Sequence, residues 1–314
     1  MFQISAYKRF IKLAKIFFLL LVSTFIIYKL FFAYKVNTLF QTFDMSKDVA
    51  SWGYVVLTFF LLFINYGLEA FKWKNLISRF EPMLFSTAVK AVLSGTAFNI
   101  ITPNQMGDFA GRVIHLETMN KWRGSLVTAI GHFAQVIVTL FFGLCSFAYF
   151  GKAYFNYIYL LPLGFLLVFA ILIIYLRMFW FYQKVKHLPF IYKIEKYVDV
   201  FAYFESKQLL QILAISFVRY LVYLSQYFLL LQFFKVDIDF VPAFACIIGT
   251  FCVQSVVPSF LLLEIGLRGA SALAFFSLLS TNHEGILLSA YSLWIVNILV
   301  PAIFGMYFIY KVRS

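Results

Sequence analysis

Six runs of about 20 or more mostly apolar residues dominate this chain, each long enough to cross a hydrocarbon core about 30 Å thick as a helix. They are Ile16–Tyr34, Val49–Leu68, Gly124–Gly151, Tyr154–Leu176, Gln208–Phe234 and Gly285–Tyr310. Of the 314 residues, 63% are hydrophobic and 12% charged, against roughly 45–50% and 25% in a soluble domain. A water-soluble fold could not hide that much apolar surface. Hydrocarbon offers no partner to a bare backbone amide, so the runs are expected as helices and the fold class as an all-α polytopic membrane protein.

Two further apolar stretches carry Pro near the middle: Pro82–Thr118 around Pro103, and Phe240–Leu279 around Pro258. Each reads as two shorter helices with a break. The backbone groups freed there must be met by protein or by a water-filled cavity, which points both pairs into the bundle interior. Re-entrant arms and nearly full spans both remain open, since Leu84–Ile101 alone is 18 residues long; either way each pair returns to its own side. The basic N-terminus before Ile16 has a signal-peptide character, but Phe31-Phe32-Ala33-Tyr34 supplies no small-x-small cleavage site, so a retained first span is expected.

The net charge of +13 does not require nucleic acid, because the 26 Lys and Arg sit mainly between apolar runs. With both termini in the cytoplasm, 18 of them face that side and five the other, leaving Lys90, Arg219 and Arg268 as intramembrane candidates. That asymmetry predicts a multi-pass protein of the inner, cytoplasmic membrane with N-in, C-in topology. Phe181–Ser206, which mixes Phe190, Tyr192 and Tyr197 with basic residues such as Lys193, is expected as a linker helix on the headgroups. Cys145, Cys246 and Cys252 lack paired spacing and are read as buried thiols. The four His have no metal-ligand spacing, so neither a metal nor another cofactor is expected.

Placing Pro103 over Pro258 brings the halves into partial register. Gly95-Thr96, Asn99, Asp108 and Arg112 face Gly249-Thr250, Gln254, Glu264 and Arg268, and each acid precedes its Arg by four, a pairing distance on one helix face. Each half then holds two spans, a broken pair and a span. An odd number of spans inverts the second copy, the plan of many secondary transporters. The first repeat is placed at 1–152 and the second at 153–314, with the linker at 181–206.

At Asn99-Ile-Ile-Thr-Pro103-Asn-Gln-Met-Gly107-Asp108-Phe-Ala-Gly-Arg112 and Pro258-Ser-Phe-Leu-Leu-Leu-Glu264-Ile-Gly-Leu-Arg268-Gly269, the chain resembles the transmembrane region of lysylphosphatidylglycerol synthases, the flippase-like domain family. Span order resembles it over nearly the whole length. Members often carry a Gly-rich turn after each Pro, which Asn104-Gln105-Met106 and Ser259-Phe260-Leu261 largely replace here. The resemblance implies a bundle that accommodates or moves a phospholipid-like amphiphile between leaflets. It does not imply aminoacylation, which belongs to a separate soluble domain in that family; with Ser314 directly after the last run, a stand-alone membrane domain is expected.

The candidate substrate-binding residues are Arg112, Arg268, Asp108, Glu264, Asn99, Gln254 and Arg219, with Pro103 and Pro258 as the helix breaks. Guanidinium groups beside helix N-termini suit an anionic headgroup; the alternative is two internal ion pairs, Asp108–Arg112 and Glu264–Arg268. Arg219 answers a headgroup or a buried carboxylate, Asn99 and Gln254 a ligand or the freed carbonyls, and Lys90 and Glu69 are read as structural and able to snorkel. No nucleophile elbow or phosphate loop is present, so no catalytic residue is assigned. The expected function is binding and translocation of an anionic phospholipid or lipid-linked amphiphile, with membrane lipids as partners; a membrane-embedded transferase and a scaffold without transport are the alternatives.

Overall fold

The computed structural model describes residues 49–100, 102, 106–154, 158–188, 195–257 and 261–311. The expected first span at Ile16–Tyr34, and Pro103 and Pro258 themselves, lie outside the described residues. Within them the chain is helical, without strands.

Helix α1 (Val49–Ile77) runs past the predicted Leu68 end and stops ahead of Glu81-Pro82, where the Pro ring disfavours helical backbone in the residue before it. The first Pro-bearing stretch is two helices, α2 (Phe85–Asn99) and α3 (Met106–Val113). Asn120 then caps α4 (Lys121–Tyr154), its Oδ1 accepting from the Trp122 amide at 2.9 Å. In place of one span over Tyr154–Leu176, a 3₁₀ turn (Ile158–Leu160) leads into α5 (Leu161–Leu176), which bends by 78° into α6 (Met178–Val185). The expected single linker helix over Phe181–Ser206 is broken: α6 ends at Val185, and a 3₁₀ turn occupies Asp199–Tyr203.

The second half continues with α7 (Ser206–Phe233) and with α8 (Phe240–Val256) and α9 (Leu261–Phe276), the two arms of the second Pro-bearing stretch. Asn282 caps α10 (His283–Trp294) through the Gly285 amide, and a π turn (Ile295–Leu299) joins α10 to α11 (Val300–Lys311). Among the described residues four helices are long and apolar enough to cross a membrane, or five if the bent pair α5–α6 counts as one. These fall on five of the six predicted runs, the run over Tyr154–Leu176 being that of the bent pair, and the sixth lies outside the described residues.

Three apolar clusters fill the described bundle, the smallest joining Ala97 of α2 to Trp294 of α10 and Ala302 of α11; the two larger ones divide the bundle by level. One gathers Trp73, Leu76 and Ile77 of α1 with Val127 and Ile130 of α4 and Leu209 and Ile212 of α7. The other gathers Phe150, Tyr220, Leu224 and Tyr227 with Phe275 and Phe276 of α9. Along α4 the change-over falls between Ile137 and Val138, and along α7 between Ile212 and Tyr220. The polar groups described below lie near that level. Packing partners are exchanged between the halves: α2 lies on α11, and α8 on α4. Both contacts are close because Gly305 faces the Leu93 carbonyl and Gly143 faces Cys252. Cys246 and Cys252 are buried as expected, whereas Cys145 is exposed on α4.

Candidate functional site

Asn65, Glu69 and Lys72 recur at i, i+4 and i+7 and so share one face of α1. All three are buried, Lys72 to 1% exposure. Isolated charges there would each cost several kcal/mol, and three other helices supply partners. Glu69 Oε2 lies 2.7 Å from Lys72 Nζ and 2.9 Å from Arg219 Nη1 of α7, while Oε1 accepts from Arg112 Nη1 of α3 at 2.8 Å. Arg112 Nε is 2.7 Å from Asp108 Oδ2, and the same oxygen is 2.6 Å from His132 Nε2 of α4. An ionised carboxylate only accepts, so this contact puts the imidazole proton on Nε2.

A neutral polar rim continues the network. Arg219 Nε donates to Asn65 Oδ1 at 2.7 Å and Nη1 reaches Gln135 Oε1 at 3.4 Å, while Asn65 Nδ2 donates to Asn297 Oδ1 at 2.9 Å. Asn297 belongs to the π turn, and Pro301 explains what happens there. Pro has no N–H to give to the carbonyl four residues back, which is that of Asn297. The Tyr66 hydroxyl donates to this carbonyl instead, at 2.7 Å.

Asp108 is held in place by backbone proximity. A Cβ on Gly95 would strike the Asp108 carboxylate, and one on Gly111 would strike the Ser94 carbonyl and the Gly95 backbone. Glycine at both positions is what lets α2 and α3 touch main chain to main chain. Outside the spans, Glu81 fixes the loop before α4: its carboxylate accepts from the Glu117, Thr118 and Met119 amides at 2.8–2.9 Å. Burial alone would raise its pKa, but these bonds and one from the Thr118 hydroxyl outweigh it and hold the carboxyl below the ordinary glutamate range.

Among the described residues the network sets three fixed cations, Lys72, Arg112 and Arg219, against two carboxylates, Glu69 and Asp108. Its formal charge is thus positive by one with His132 neutral. Glu69, Lys72, Asp108 and Arg112 are sealed, whereas the His132 and Arg219 side chains are 29% and 19% exposed. Those two are the open edge of the site.

Of the predicted residues, Asp108, Arg112 and Arg219 come together here. Glu264, Arg268 and Gln254 form a second set: Arg268 Nη2 donates to Glu264 Oε1 at 2.7 Å, Arg268 Nη1 reaches Gln254 Oε1 at 3.5 Å, and Gln254 Nε2 donates to Ser271 Oγ at 3.0 Å. None of the bonds of Arg112 or Arg268 reaches the other set. Asn99 joins neither; its Oδ1 is buried without a hydrogen-bond partner among the described residues. Lys90 is exposed on α2.

Glu69 is not a snorkelling residue but the hub of the network, and Lys72 and Arg112, two of the 18 basic residues that the charge asymmetry assigns to the cytoplasmic side, are buried beside it. The stripe Asn65, Glu69, Lys72 was the available signal, as was Thr128, His132, Gln135, Thr139 along one face of α4. His132, alone in its apolar run, acquires its partner only through tertiary contact.

Fold and site together define a multi-pass helical membrane protein with a cation-rich ionic network inside its bundle. The family model of the lysylphosphatidylglycerol synthase transmembrane region matches residues 13–305, and the chain belongs to that family. Comparison with curated proteins and with solved structures gives no match.

Proposed function

We propose that this protein is a flippase-like carrier that binds an anionic phospholipid or lipid-linked amphiphile and passes it between leaflets without altering a covalent bond. The observation that carries this reading is the uncompensated positive charge of the buried network, which one phosphodiester headgroup would neutralise. The headgroup meets Arg219 and His132 first and then competes with Glu69 and Asp108 for Arg112, whose planar fork suits phosphate. The acyl chains stay in the bilayer. Arg268, Glu264 and Gln254 serve as the counterpart on the other broken pair, and the exchanged packing of α2 on α11 and α8 on α4 supports an inverted repeat as the frame for alternating access. The protein sits in the inner membrane with both termini in the cytoplasm.

The test is leaflet exchange in proteoliposomes carrying phosphatidylglycerol or phosphatidylethanolamine with a fluorescent acyl chain, read by quenching of the outer leaflet. Exchange of the phosphatidylglycerol probe should fall at least tenfold in Arg112→Ala and Arg219→Ala and stay below wild type in Arg112→Lys. Undiminished exchange in folded variants would mean that the network only holds the bundle together. The His132–Asp108 contact is the one observation that favours a transferase, since it resembles an oriented base. Under the carrier reading, lipids recovered after incubation with aminoacyl or nucleotide-sugar donors are chemically unchanged; a new lipid that vanishes in Asp108→Asn would put the transferase first.

A further inference from the structure

On the far side of α7 from the ionic network, a groove of about 740 Å³ opens between α4, α5 and α7. Val138 and Phe142, Phe165 and Leu172, and Leu210 and Phe217 line it, one pair from each helix, and no lining residue is charged. Its volume falls within the roughly 300–1,000 Å³ of small-molecule sites. Along α5 it extends from Pro162 to Leu172, a rise of about 15 Å, which is half of a ~30 Å hydrocarbon core and so the depth of one leaflet.

The end of the groove near Leu172 and Leu210 is polar. There Ser206 Oγ donates to the Leu176 carbonyl at 2.7 Å, tying the start of α7 to the end of α5. The next residue on each side of that seam is basic, Arg177 at the 78° bend and Lys207 one turn before Leu210. Both are exposed, and neither has an ion-pair partner among the described residues. An apolar slot one leaflet deep with two unpaired cations at its interfacial end has the polarity of a phospholipid.

We propose that this groove is a binding site for an anionic phospholipid, one acyl chain lying between α4, α5 and α7 and the phosphate held at the mouth by Arg177 and Lys207. The guanidinium supplies a fork for two phosphate oxygens and the ammonium a point charge. An apolar transmembrane helix seated there would leave both cations unanswered.

The full chain, purified in mild detergent from membranes containing phosphatidylglycerol and phosphatidylethanolamine in equal amounts, tests this by native mass spectrometry. On an Arg219→Ala background, which removes an anion contact of the ionic network, one phosphatidylglycerol per chain is still expected, preferred at least tenfold over phosphatidylethanolamine, and the further changes are made on that background. Arg177→Gln with Lys207→Gln should abolish the preference, and Ala214→Trp, which fills the groove and leaves both cations, should remove the bound lipid. Lys184→Gln, a basic change on neighbouring α6, should do neither. The proposal is overturned if the double variant and Ala214→Trp retain lipid as Arg219→Ala alone does, if Lys184→Gln loses it equally, or if cross-links from the groove lead to residues 16–34 or to a second chain.

Discussion

Replacing Glu69 by Gln keeps the size of the side chain and withdraws the charge that three cations share. Lys72 and Arg219 lie 2.7 and 2.9 Å from one of its oxygens and Arg112 2.8 Å from the other. Arg112 still has Asp108, but Lys72 and Arg219 have no other carboxylate partner among the described residues. Removing one partner of a buried ion pair costs about 3–5 kcal/mol, because the other charge stays buried. Equilibrium unfolding in detergent micelles, followed by far-ultraviolet circular dichroism against denaturant, should show a loss of that size. Asp199→Asn is the control: it breaks the Arg123–Asp199 pair, in which both side chains are about 30% exposed, and such pairs are worth about 0–1 kcal/mol. Adding Lys72→Met to Glu69→Gln removes one orphaned cation and should restore about 1–3 kcal/mol, read as the coupling term of a double-mutant cycle. If Glu69→Gln costs no more than Asp199→Asn, or if Lys72→Met makes it worse, Glu69 is not the hub that its distances describe.

Three other outcomes are expected. Gly111→Ala forces α3 off the Ser94 carbonyl and should cost about 1–3 kcal/mol in the same unfolding assay, as overpacking does elsewhere. Tyr66→Phe should cost about 1–3 kcal/mol by leaving the Asn297 carbonyl without its donor; a neutral result would mean that another group or water takes the position. Glu81 has a folded-state pKa below its unfolded value, so its contribution is present above the unfolded pKa and is lost as pH falls through the folded one. The stability gap between wild type and Glu81→Gln should therefore be full at neutral pH and close only below the ordinary glutamate range, as a pH series of unfolding midpoints would record.

Much of the architecture was legible because lipid imposes a length rule on apolar runs and Pro punctuates them. Helix α2 ends at Asn99 and α8 at Val256, a few residues ahead of Pro103 and Pro258. The bend at Arg177 was not legible: apolar character continues from Leu176 through Met178-Phe179-Trp180, and hydropathy does not register direction. At the site, spacing found Asp108–Arg112 and Glu264–Arg268, because partners four residues apart are a local property. It missed Glu69 as the hub, since Glu69 meets Arg219 and Arg112 only across helices. Depth misled as well, because closeness to the end of α1 suggested snorkelling while the packing of α3, α4 and α7 closes that route.

The ionic partners also differ in when they become available during synthesis. Glu69 and Lys72 are one turn apart, as are Asp108 and Arg112 and, later, Glu264 and Arg268, so each of these segments brings its own counter-charge into the bilayer. Helix α7 does not. Arg219 is the fourteenth of its 28 residues, near the centre of the span, and no carboxylate shares the helix. An Arg at that depth opposes insertion by about 2.5–3.5 kcal/mol, and the group that answers it, Glu69, entered the membrane with α1. Biogenesis of the second half thus leans on the first: α1 must be in place, with Glu69 still able to take a further cation beside Lys72 and Arg112, for α7 to settle at its final depth.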